Sequence, residues 1–396
     1  MHNLTKIKLF RIILYTTYPL ALLFLYPFAL IKRKNHSKLF FFFDRYSIGG
    51  AQKIFLDVLK SVEDIKKPVY FTRLSVDGQL KDQFYSLPNT ECKDIHLWCD
   101  YLLFRIFTIH YYAFYINRHS GAHVFSSNST FFFDMLPFLK KGIKTTELLH
   151  NFSYGKKGFE FFGLANCRYL HNRIVYDNLT LENIRTQYKE YNIPESIFKR
   201  VHFIEPGVFI PAPTIKPNTP PLKVLYAGRG GRQKRVWLIN RIVEHFMTLK
   251  APVAFEFAGT MEDELSEMVK QHSLLHGRID SQEKMYDIYK GAHIILLTSA
   301  FEGFPMVIKE GMACGCVPLV TALEGNKTHL TNGENGLLIE AITDEDKVIE
   351  QGIKLIQELI QDPELVSKLS ENSYNYACNH FQKEHFIKEC RKLLTQ

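Results

Sequence analysis

The chain of 396 residues is too long for a single ordinary hydrophobic core and suits two α/β domains. Hydrophobic residues make up 46% and charged residues 23% of it, which excludes a disordered or low-complexity protein. The net charge of +8 is concentrated at the start, because seven Lys and Arg residues precede the first acid, Asp44. Positive charge beside an apolar run favours anionic lipid over a duplex, so no nucleic-acid partner is expected.

An uncharged run from Ile12 to Ile31 lies between these basic residues. It has about the 20 residues that cross a bilayer core as a helix, and we predict a membrane anchor over residues 1–35. Pro19 and Pro27 can kink the helix, and no convincing signal-peptidase site follows it. A cleaved signal and a buried helix are the alternatives. Basic residues on both sides do not distinguish a single span from a kinked segment within one leaflet.

The seven cysteines are scattered, odd in number and contain no CxxC pair. Neither a disulfide framework nor a zinc site is therefore predicted, and a reducing compartment is the simplest interpretation. We expect Cys314 and Cys316 to be small packing residues.

The first domain is predicted over residues 36–210 and begins with a strand, a Gly-rich turn and a helix. Lys38 to Phe43 is typical of a buried strand, and the apolar positions after the turn SIGG recur with a helical period. Further strands are predicted at 123–126, 144–149, 173–176 and 201–204. Their alternation with helical stretches predicts a parallel sheet with helices on both faces.

A Pro-rich stretch follows, and within it residues 211–222 are predicted to be an interdomain linker. The second domain, over residues 223–375, repeats the doubly wound pattern, and residues 376–396 are predicted to form a helix that crosses back to the first domain. The strands of the second domain are predicted at 223–226, 253–258, 293–297 and 317–321. Two Rossmann-like domains facing a cleft are the predicted fold, and ligands of such sheets bind beyond the carboxyl ends of the strands.

The segment EGFPMVIKE follows a predicted strand that ends at Ser299. Pro305 suits the first position of a helix, where backbone N–H groups and the helix dipole favour a phosphate. Glu302 and Glu310 stand on either side of this helix start, an arrangement that suits the hydroxyls of a nucleotide sugar. The alternative is that both are solvated acids, which favour a helix start in any case. The amides predicted to be free belong to Met306, Val307 and Ile308.

A basic, Gly-rich turn, AGRGGRQKR, follows the strand KVLY of the second domain. Its glycines let the backbone approach an anion, while Arg229 and Lys234 can neutralise diphosphate oxygens as a leaving group departs. The alternative is a solvated basic surface turn. The turn is not a Walker motif, because Gly-Lys-Ser/Thr is absent.

Two weaker signals lie in the first domain. The turn Ser47 to Ala51 offers backbone N–H groups, but Gly-Gly turns are common and the GxGxxG fingerprint is absent. His150, followed by Asn151, comes directly after the predicted strand TTELL. A histidine chosen at random is usually structural, and the position of this one favours a site.

Together these motifs resemble the family 4 retaining glycosyltransferases of GT-B fold over nearly all of the chain after residue 36. The resemblance is carried by SIGGAQ, LLHN, IEPGV, AGRGGRQKR, FAGT, HGRI, AHIILLTSAFEGFPMVIKEGMACGCVPLVT and NGENGLLI. Within this context the Glu-x7-Glu spacing of Glu302 and Glu310 is specific.

The resemblance implies that Glu310 binds ribose hydroxyls, that Glu302 binds donor-sugar hydroxyls, and that His150 lies close to the donor sugar. It implies His150 and Glu302 as catalytic residues. The implied donor-binding residues are Gly50, Arg229, Lys234, Glu302, Gly303, Phe304, Met306, Val307, Ile308 and Glu310.

The chain departs from the family pattern at three places. Pro305 replaces a Gly of many relatives and removes one amide, and Arg235 replaces the usual Gly after the lysine, which we expect to add positive charge near the diphosphate. The segment Leu323 to His329 lacks the Gly-Gly and Glu of many relatives, so no role of that Glu is carried over.

The predicted reaction is the retaining transfer of a sugar from a nucleoside diphosphate sugar to a lipid-linked or membrane-bound glycan acceptor, without a cofactor or metal. With the apolar segment 12–31, this predicts cell-envelope or surface polysaccharide synthesis, such as that of lipopolysaccharide, at the cytoplasmic face of the inner membrane. The alternatives are a soluble nucleotide-sugar epimerase of the same fold and a non-catalytic protein that binds a sugar nucleotide.

Overall fold

The computed structural model describes residues 3–32, 37–47, 50–75, 78, 80–150, 152, 158–217 and 219–396. The chain divides into two compact units, the first comprising Met1–Glu205 with Phe386–Gln396 and the second comprising Pro206–His385. Each unit contains one parallel β-sheet with helices packed on it, so the predicted α/β class with two Rossmann-like sheets is confirmed.

The sheet of unit 1 has seven parallel strands in the order β3-β2-β1-β4-β5-β6-β7. The strands are β1 (Leu39–Phe43), β2 (Lys67–Phe71), β3 (Thr90–Asp94), β4 (His123–Ser127), β5 (Lys144–Leu148), β6 (Asn172–Val175) and β7 (Val201–Phe203). In β1, Phe40 and Phe42 enter one hydrophobic cluster while Phe41 and Phe43 enter another. The strand is buried on both faces, which explains its uninterrupted apolar run.

The helices of unit 1 cover both faces of this sheet, and the last of them comes from the end of the chain. They are α1 (Asn3–Ile31), α2 (Gly50–Lys60), α3 (Lys81–Tyr85), α4 (His96–Asp100), α5 (Leu102–Ile116), α6 (Thr130–Met135), α7 (Phe159–Asn166), α8 (Asn178–Glu190), α9 (Glu195–Phe198) and α17 (Lys383–Thr395). Phe386, Cys390 and Leu394 of α17 join the cluster that holds Phe41 and Phe43.

Within the part of the chain that the structure describes, Leu4–Ile31 of α1 is long and apolar enough to cross a membrane by length and composition. A core helix of a soluble protein, or a signal sequence near the N-terminus, meets the same test. Most of this helix is not buried by the rest of unit 1, so its outer surface is apolar and exposed.

The sheet of unit 2 has six parallel strands in the order β10-β9-β8-β11-β12-β13. The strands are β8 (Leu222–Arg229), β9 (Val253–Thr260), β10 (Leu274–Gly277), β11 (Ile294–Leu297), β12 (Val317–Thr321) and β13 (Leu337–Ile339). The helices are α10 (Val236–Thr248), α11 (Glu267–His272), α12 (Gln282–Gly291), α13 (Met306–Ala313), α14 (Glu324–Lys327), α15 (Glu345–Gln361) and α16 (Pro363–His380).

The order of the strands reverses between β8 and β11, which are neighbours in the sheet of unit 2. In open parallel sheets such a switch point opens a crevice at the carboxyl ends of the two strands. The basic Gly-rich segment AGRGGRQKR begins in the last three residues of β8 and continues beyond it, and the segment EGFPMVIKE follows β11. The topology therefore brings the two strongest sequence motifs to one edge of this sheet.

Candidate functional site

The turn after β8 is shaped by close backbone contacts. Gly259 at the end of β9 has φ +129°, and a Cβ atom there would overlap the carbonyl oxygen of Gly228. Gly231 has φ +115°, a conformation that favours glycine, and the Tyr226 hydroxyl donates to the carbonyl of Arg229 over 2.6 Å. These contacts fix the path of the turn, and they leave the Arg229 side chain exposed at the end of β8.

Arg235 brings its positive charge close to the turn, but its guanidinium is directed at backbone carbonyls. Its side chain is buried and its guanidinium donates to the carbonyls of Thr298, Ser299 and Ile342 over 2.7, 3.2 and 2.6 Å. The backbone of Arg235 adopts the left-handed helical conformation, with φ +50°. Buried guanidinium groups need such acceptors, and here two of them lie just beyond β11 while the third, Ile342, lies beyond β13. Arg235 therefore fastens the basic turn to the end of the neighbouring strand.

Lys234 and Glu302 form an ion pair that joins the two predicted motifs. Nζ of Lys234 lies 2.5 Å from Oε1 of Glu302, and their side chains are 13% and 14% exposed. Backbone contacts support the pair, since the Ala300 amide donates to the carbonyl of Gln233 and the Gln233 side chain donates to the carbonyl of Phe301. The structure thus brings together the residues predicted to contact a diphosphate and a sugar.

Helix α13 begins one residue later than predicted. Pro305 is its N-cap and Met306 its first residue, and the amide of Ile308 donates to the Pro305 carbonyl over 3.0 Å. Ile308 therefore does not offer a free amide, contrary to the prediction. The backbone amides of Met306 and Val307 lie at the N-terminal end of the helix, where the helix dipole favours an anion.

The segment between β11 and α13 is held from the side by α14. A Cβ atom on Gly325 would overlap the carbonyl oxygen of Gly303, so the two backbones are in direct contact. The Phe304 ring packs on His329, with ring centroids 4.5 Å apart. The segment LEGNKTH, which departs from the family pattern, is therefore the support for the loop that carries Glu302.

Glu310 lies in the second turn of α13 and is 7% exposed. The Tyr289 hydroxyl of α12 donates to its Oε2 atom over 3.0 Å. Burial, and then the charge of Glu310, raise the pKa of Tyr289 well above its usual value, so this hydroxyl stays a donor. Tyr289 orients the carboxylate. The sequence did not single it out, because it is one of 20 tyrosines and its contact with Glu310 is tertiary.

In unit 1, His150 follows β5 and is 4% exposed. Its Nδ1 atom lies 3.0 Å from the Tyr176 hydroxyl and its ring lies against Phe55 of α2, while its Nε2 atom is buried without a hydrogen-bond partner among the described residues. Burial lowers the pKa of His150 to about 3, so the ring is neutral near pH 7.

Gly50 is the exposed first residue of α2. Ile48 and Gly49, in the turn predicted to bind phosphate, lie outside the described residues, as does Asn151. The predicted part that Gly50 plays in phosphate binding stays a prediction.

A protein-family model matches most of unit 2. Residues 212–376 match the family model described as "Glycosyl transferases group 1". The matched range contains Arg229, Lys234, Glu302 and Glu310. The predicted resemblance to the family 4 glycosyltransferases is confirmed for this part of the chain, which makes up most of unit 2.

Curated relatives are similar over shorter stretches. The GtfA subunit of the UDP-N-acetylglucosamine–peptide N-acetylglucosaminyltransferase of Streptococcus pneumoniae is 26% identical over 172 residues, which are 41% of this chain and 34% of the relative. The D-inositol 3-phosphate glycosyltransferase of Rhodococcus jostii is 27% identical over 103 residues, 26% of this chain and 22% of the relative. The chain thus spans about a third or less of the length of these relatives.

Solved structures extend the similarity of fold to both units. Anabaena Alr3699/HepE in complex with UDP and glucose has a TM-score of 0.69 at 14% identity, over 91% of this chain and 100% of that one. The lipopolysaccharide outer core galactosyltransferase WaaB has a TM-score of 0.57 at 16% identity, over 86% and 99%. At these identities the comparison establishes the GT-B fold.

Proposed function

We propose that this chain, whose residues 212–376 belong to the glycosyltransferase group 1 family, is a retaining glycosyltransferase that uses a nucleoside diphosphate sugar. The observation that carries the proposal is the meeting of Lys234 with Glu302 at the switch point of unit 2, beside the open end of α13. A UDP-sugar is the donor we favour, since the similar Anabaena structure holds UDP and glucose.

The residues of unit 2 suit the two ends of such a donor. Glu310, held by Tyr289, accepts hydrogen bonds from the ribose hydroxyls, and Glu302 accepts them from the sugar. The diphosphate lies between them against the amides of Met306 and Val307, with Arg229 and Lys234 as counter-charges. Charge that develops on the leaving diphosphate is then neutralised by groups already in position, which lowers the barrier to transfer. His150 and Gly50 of unit 1 keep their predicted roles within this proposal.

The acceptor we propose is a lipid-linked or membrane-bound glycan, in cell-envelope or surface polysaccharide synthesis at the cytoplasmic face of the membrane. Its support is the long apolar helix α1, most of which the rest of unit 1 leaves uncovered. A helix of this kind keeps the enzyme at a bilayer, where acceptors that carry a lipid are concentrated.

A donor panel tests the proposed activity. The purified full-length protein is incubated with UDP- and GDP-sugars, with and without native membrane extract, and the products are separated by mass and by anomeric configuration. We expect one donor to be consumed only with extract, and its sugar to be transferred with retention. A new nucleotide sugar formed without extract would favour the epimerase instead. Tight donor binding without turnover in any extract would favour the non-catalytic protein.

A further inference from the structure

Unit 1 exposes a second apolar segment in addition to α1, formed by α4 and the start of α5. Trp98 is 58% exposed and Leu103 is 63% exposed, values unusual for large apolar side chains that are neighbours in sequence. The exposed large apolar and aromatic residues of this segment, called the 97–104 patch below, are Leu97, Trp98, Tyr101, Leu102, Leu103 and Phe104. Helix α5 is also the helix on which α1 packs.

Helix α1 is attached to unit 1 near both of its ends. Near its start, the Arg11 guanidinium donates to the side-chain carbonyl of Asn166, a residue 1% exposed, over 2.8 Å. At its end, the Arg118 guanidinium donates to the carbonyls of Ala29 and Lys32. If α1 left the surface, these polar groups would lose their partners, and the buried side-chain oxygen of Asn166 would lose the donor that Arg11 supplies.

The middle of α1 is attached as well. Leu14 and Ala21 are 1% and 0% exposed, and the Tyr18 ring stacks on Phe138 with centroids 5.5 Å apart. The Thr17 hydroxyl lies 3.3 Å from Nε2 of His110 in α5. The helix therefore lies along unit 1 over its whole length, which argues against its leaving the domain to cross a bilayer.

The outer face of α1 is apolar along the same length. Its exposed large side chains are Leu9, Ile12, Ile13, Tyr15, Leu20, Leu22, Leu23, Phe24, Tyr26, Phe28, Leu30 and Ile31. Lys6 and Lys8 are exposed at its start, and the sequence has no acidic residue before Asp44. Apolar side chains beside exposed cations complement a bilayer that contains anionic lipid.

We propose that the outer face of α1 and the 97–104 patch form one membrane-binding surface, which inserts into a single leaflet of an anionic bilayer with α1 parallel to the membrane plane. The inference deepens the membrane contact included in the proposed function and rests on it. Trp98 and Tyr101 are residue types enriched at the level of lipid headgroups. Asp100, which lies in the chain between Trp98 and Tyr101 of the patch, is exposed, and we expect it to remain in the aqueous headgroup layer.

The chain offers a direct probe, because Trp98 and Trp237 are its two tryptophans. In the Trp237→Phe variant, Trp98 alone reports on vesicles of phosphatidylglycerol and phosphatidylcholine. We expect its emission to shift to the blue and to be quenched by lipids brominated near the headgroup. The matched control, Trp98→Phe, leaves Trp237 of unit 2, whose emission should not change. Vesicle binding without a change at Trp98 would overturn the role of the patch.

The orientation of α1 is tested by depth. In the chain without Trp98 and Trp237, a tryptophan is placed at one of three exposed positions, Leu9→Trp, Leu20→Trp or Ile31→Trp. These positions lie nearly on one face, about 16 Å apart at 1.5 Å per residue. We expect quenching by lipids brominated at successive depths to be equally shallow at all three. A deep Leu20→Trp between two shallow ends would show a span and overturn the proposal.

A loss-of-binding test separates the patch from general hydrophobicity. The double variant Leu102→Ser/Leu103→Ser should bind the same vesicles at least tenfold more weakly, whereas Leu249→Ser, which alters an exposed leucine of unit 2, should bind as the wild type does. Unchanged binding by the double variant would contradict the proposal. UDP affinity is measured in all variants. If the wild type did not bind UDP, the proposed donor would be wrong, but the conclusion from vesicle binding would be unaffected.

Discussion

Nζ of Lys234 lies 2.5 Å from Oε1 of Glu302, so in the chain without donor the cation proposed for the diphosphate is already paired with the acid proposed for the sugar. In the proposed donor complex, we expect the diphosphate to compete with Glu302 for this lysine. The exchange frees the carboxylate when the sugar hydroxyls arrive, and it links the two halves of donor recognition.

This exchange predicts opposite effects for the two partners. Lys234→Met removes a charge-assisted contact and should weaken UDP binding by roughly tenfold or more. Glu302→Gln removes the competing charge, so UDP should bind as tightly as to the wild type or more tightly, while sugar transfer falls at least tenfold. Calorimetric titration with UDP and initial rates of transfer measure the two quantities. Equal UDP affinity of Lys234→Met and wild type would refute the exchange.

A second prediction concerns the ribose end. Glu310→Ala should weaken donor binding by about 10- to 100-fold. It removes the charged carboxylate that accepts hydrogen bonds from the ribose, and a hydrogen bond to a charged group contributes about 1.5–3 kcal/mol. Tyr289→Phe keeps the ring but removes the hydroxyl that donates to Glu310, so a smaller loss of a few fold is expected. Both are measured as the Kd for the donor. The assignment fails if Glu310→Ala binds the donor normally.

A third prediction concerns the contact between α14 and the loop of Glu302. Gly325→Ala places a methyl group on the Gly303 carbonyl, which should displace the loop and reduce donor affinity at least tenfold. Gly291→Ala is the matched control, because a Cβ there meets nothing within 4 Å. Circular dichroism establishes that both variants are folded before donor titration. A Gly325→Ala variant with normal affinity would show that the loop adapts without loss.

A fourth prediction concerns His150, whose pKa burial lowers to about 3. Below pH 6.5 the unfolded chain binds a proton at this histidine and the folded chain does not, so wild-type stability falls as pH falls. The His150→Gln variant has no titrating group at this position, so this contribution to the pH dependence of its stability is absent. The stability advantage of the wild type over the variant should therefore shrink by about 2 kcal/mol between pH 7.5 and 5.0, at about 1.4 kcal/mol per unit.

Urea unfolding at each pH measures this difference, and other titrating groups contribute equally to both proteins. A difference that stays constant between pH 7.5 and 5.0 would mean that His150 titrates normally, and therefore that its ring is not buried.

Most central strands of both sheets could be predicted from sequence because they are buried on two faces, although β2, KPVYF, was missed despite its burial. The predicted strands at 123–126 and 317–321 agree with β4 and β12. The edge strand β3, TECKD, is polar and partly exposed, so it carries no apolar run and was missed. Hydrophobic pattern reports burial, and an edge strand is buried too little to show it.

Local motifs of the site were visible in the sequence, whereas its supports were not. The spacing of Glu302 and Glu310 is local, and the family match over 212–376 accords with it. The environment of Arg235 depends on Ile342, more than 100 residues away, and its positive φ gave no local signal. Charge in a sequence does not reveal whether a guanidinium faces a ligand or backbone carbonyls, since only the tertiary fold supplies those acceptors.

The return of α17 to unit 1 has a consequence for synthesis on the ribosome. Phe386, Cys390 and Leu394 fill the same hydrophobic cluster as Phe41 and Phe43, yet they are translated after all of Pro206–His385. During translation, unit 1 therefore lacks the part of its hydrophobic core that α17 supplies until unit 2 has been synthesised. Unit 2 can fold during that time. Domains usually fold in order from the N-terminus. Here we expect the later unit to be completed first, with chaperones needed by the earlier one.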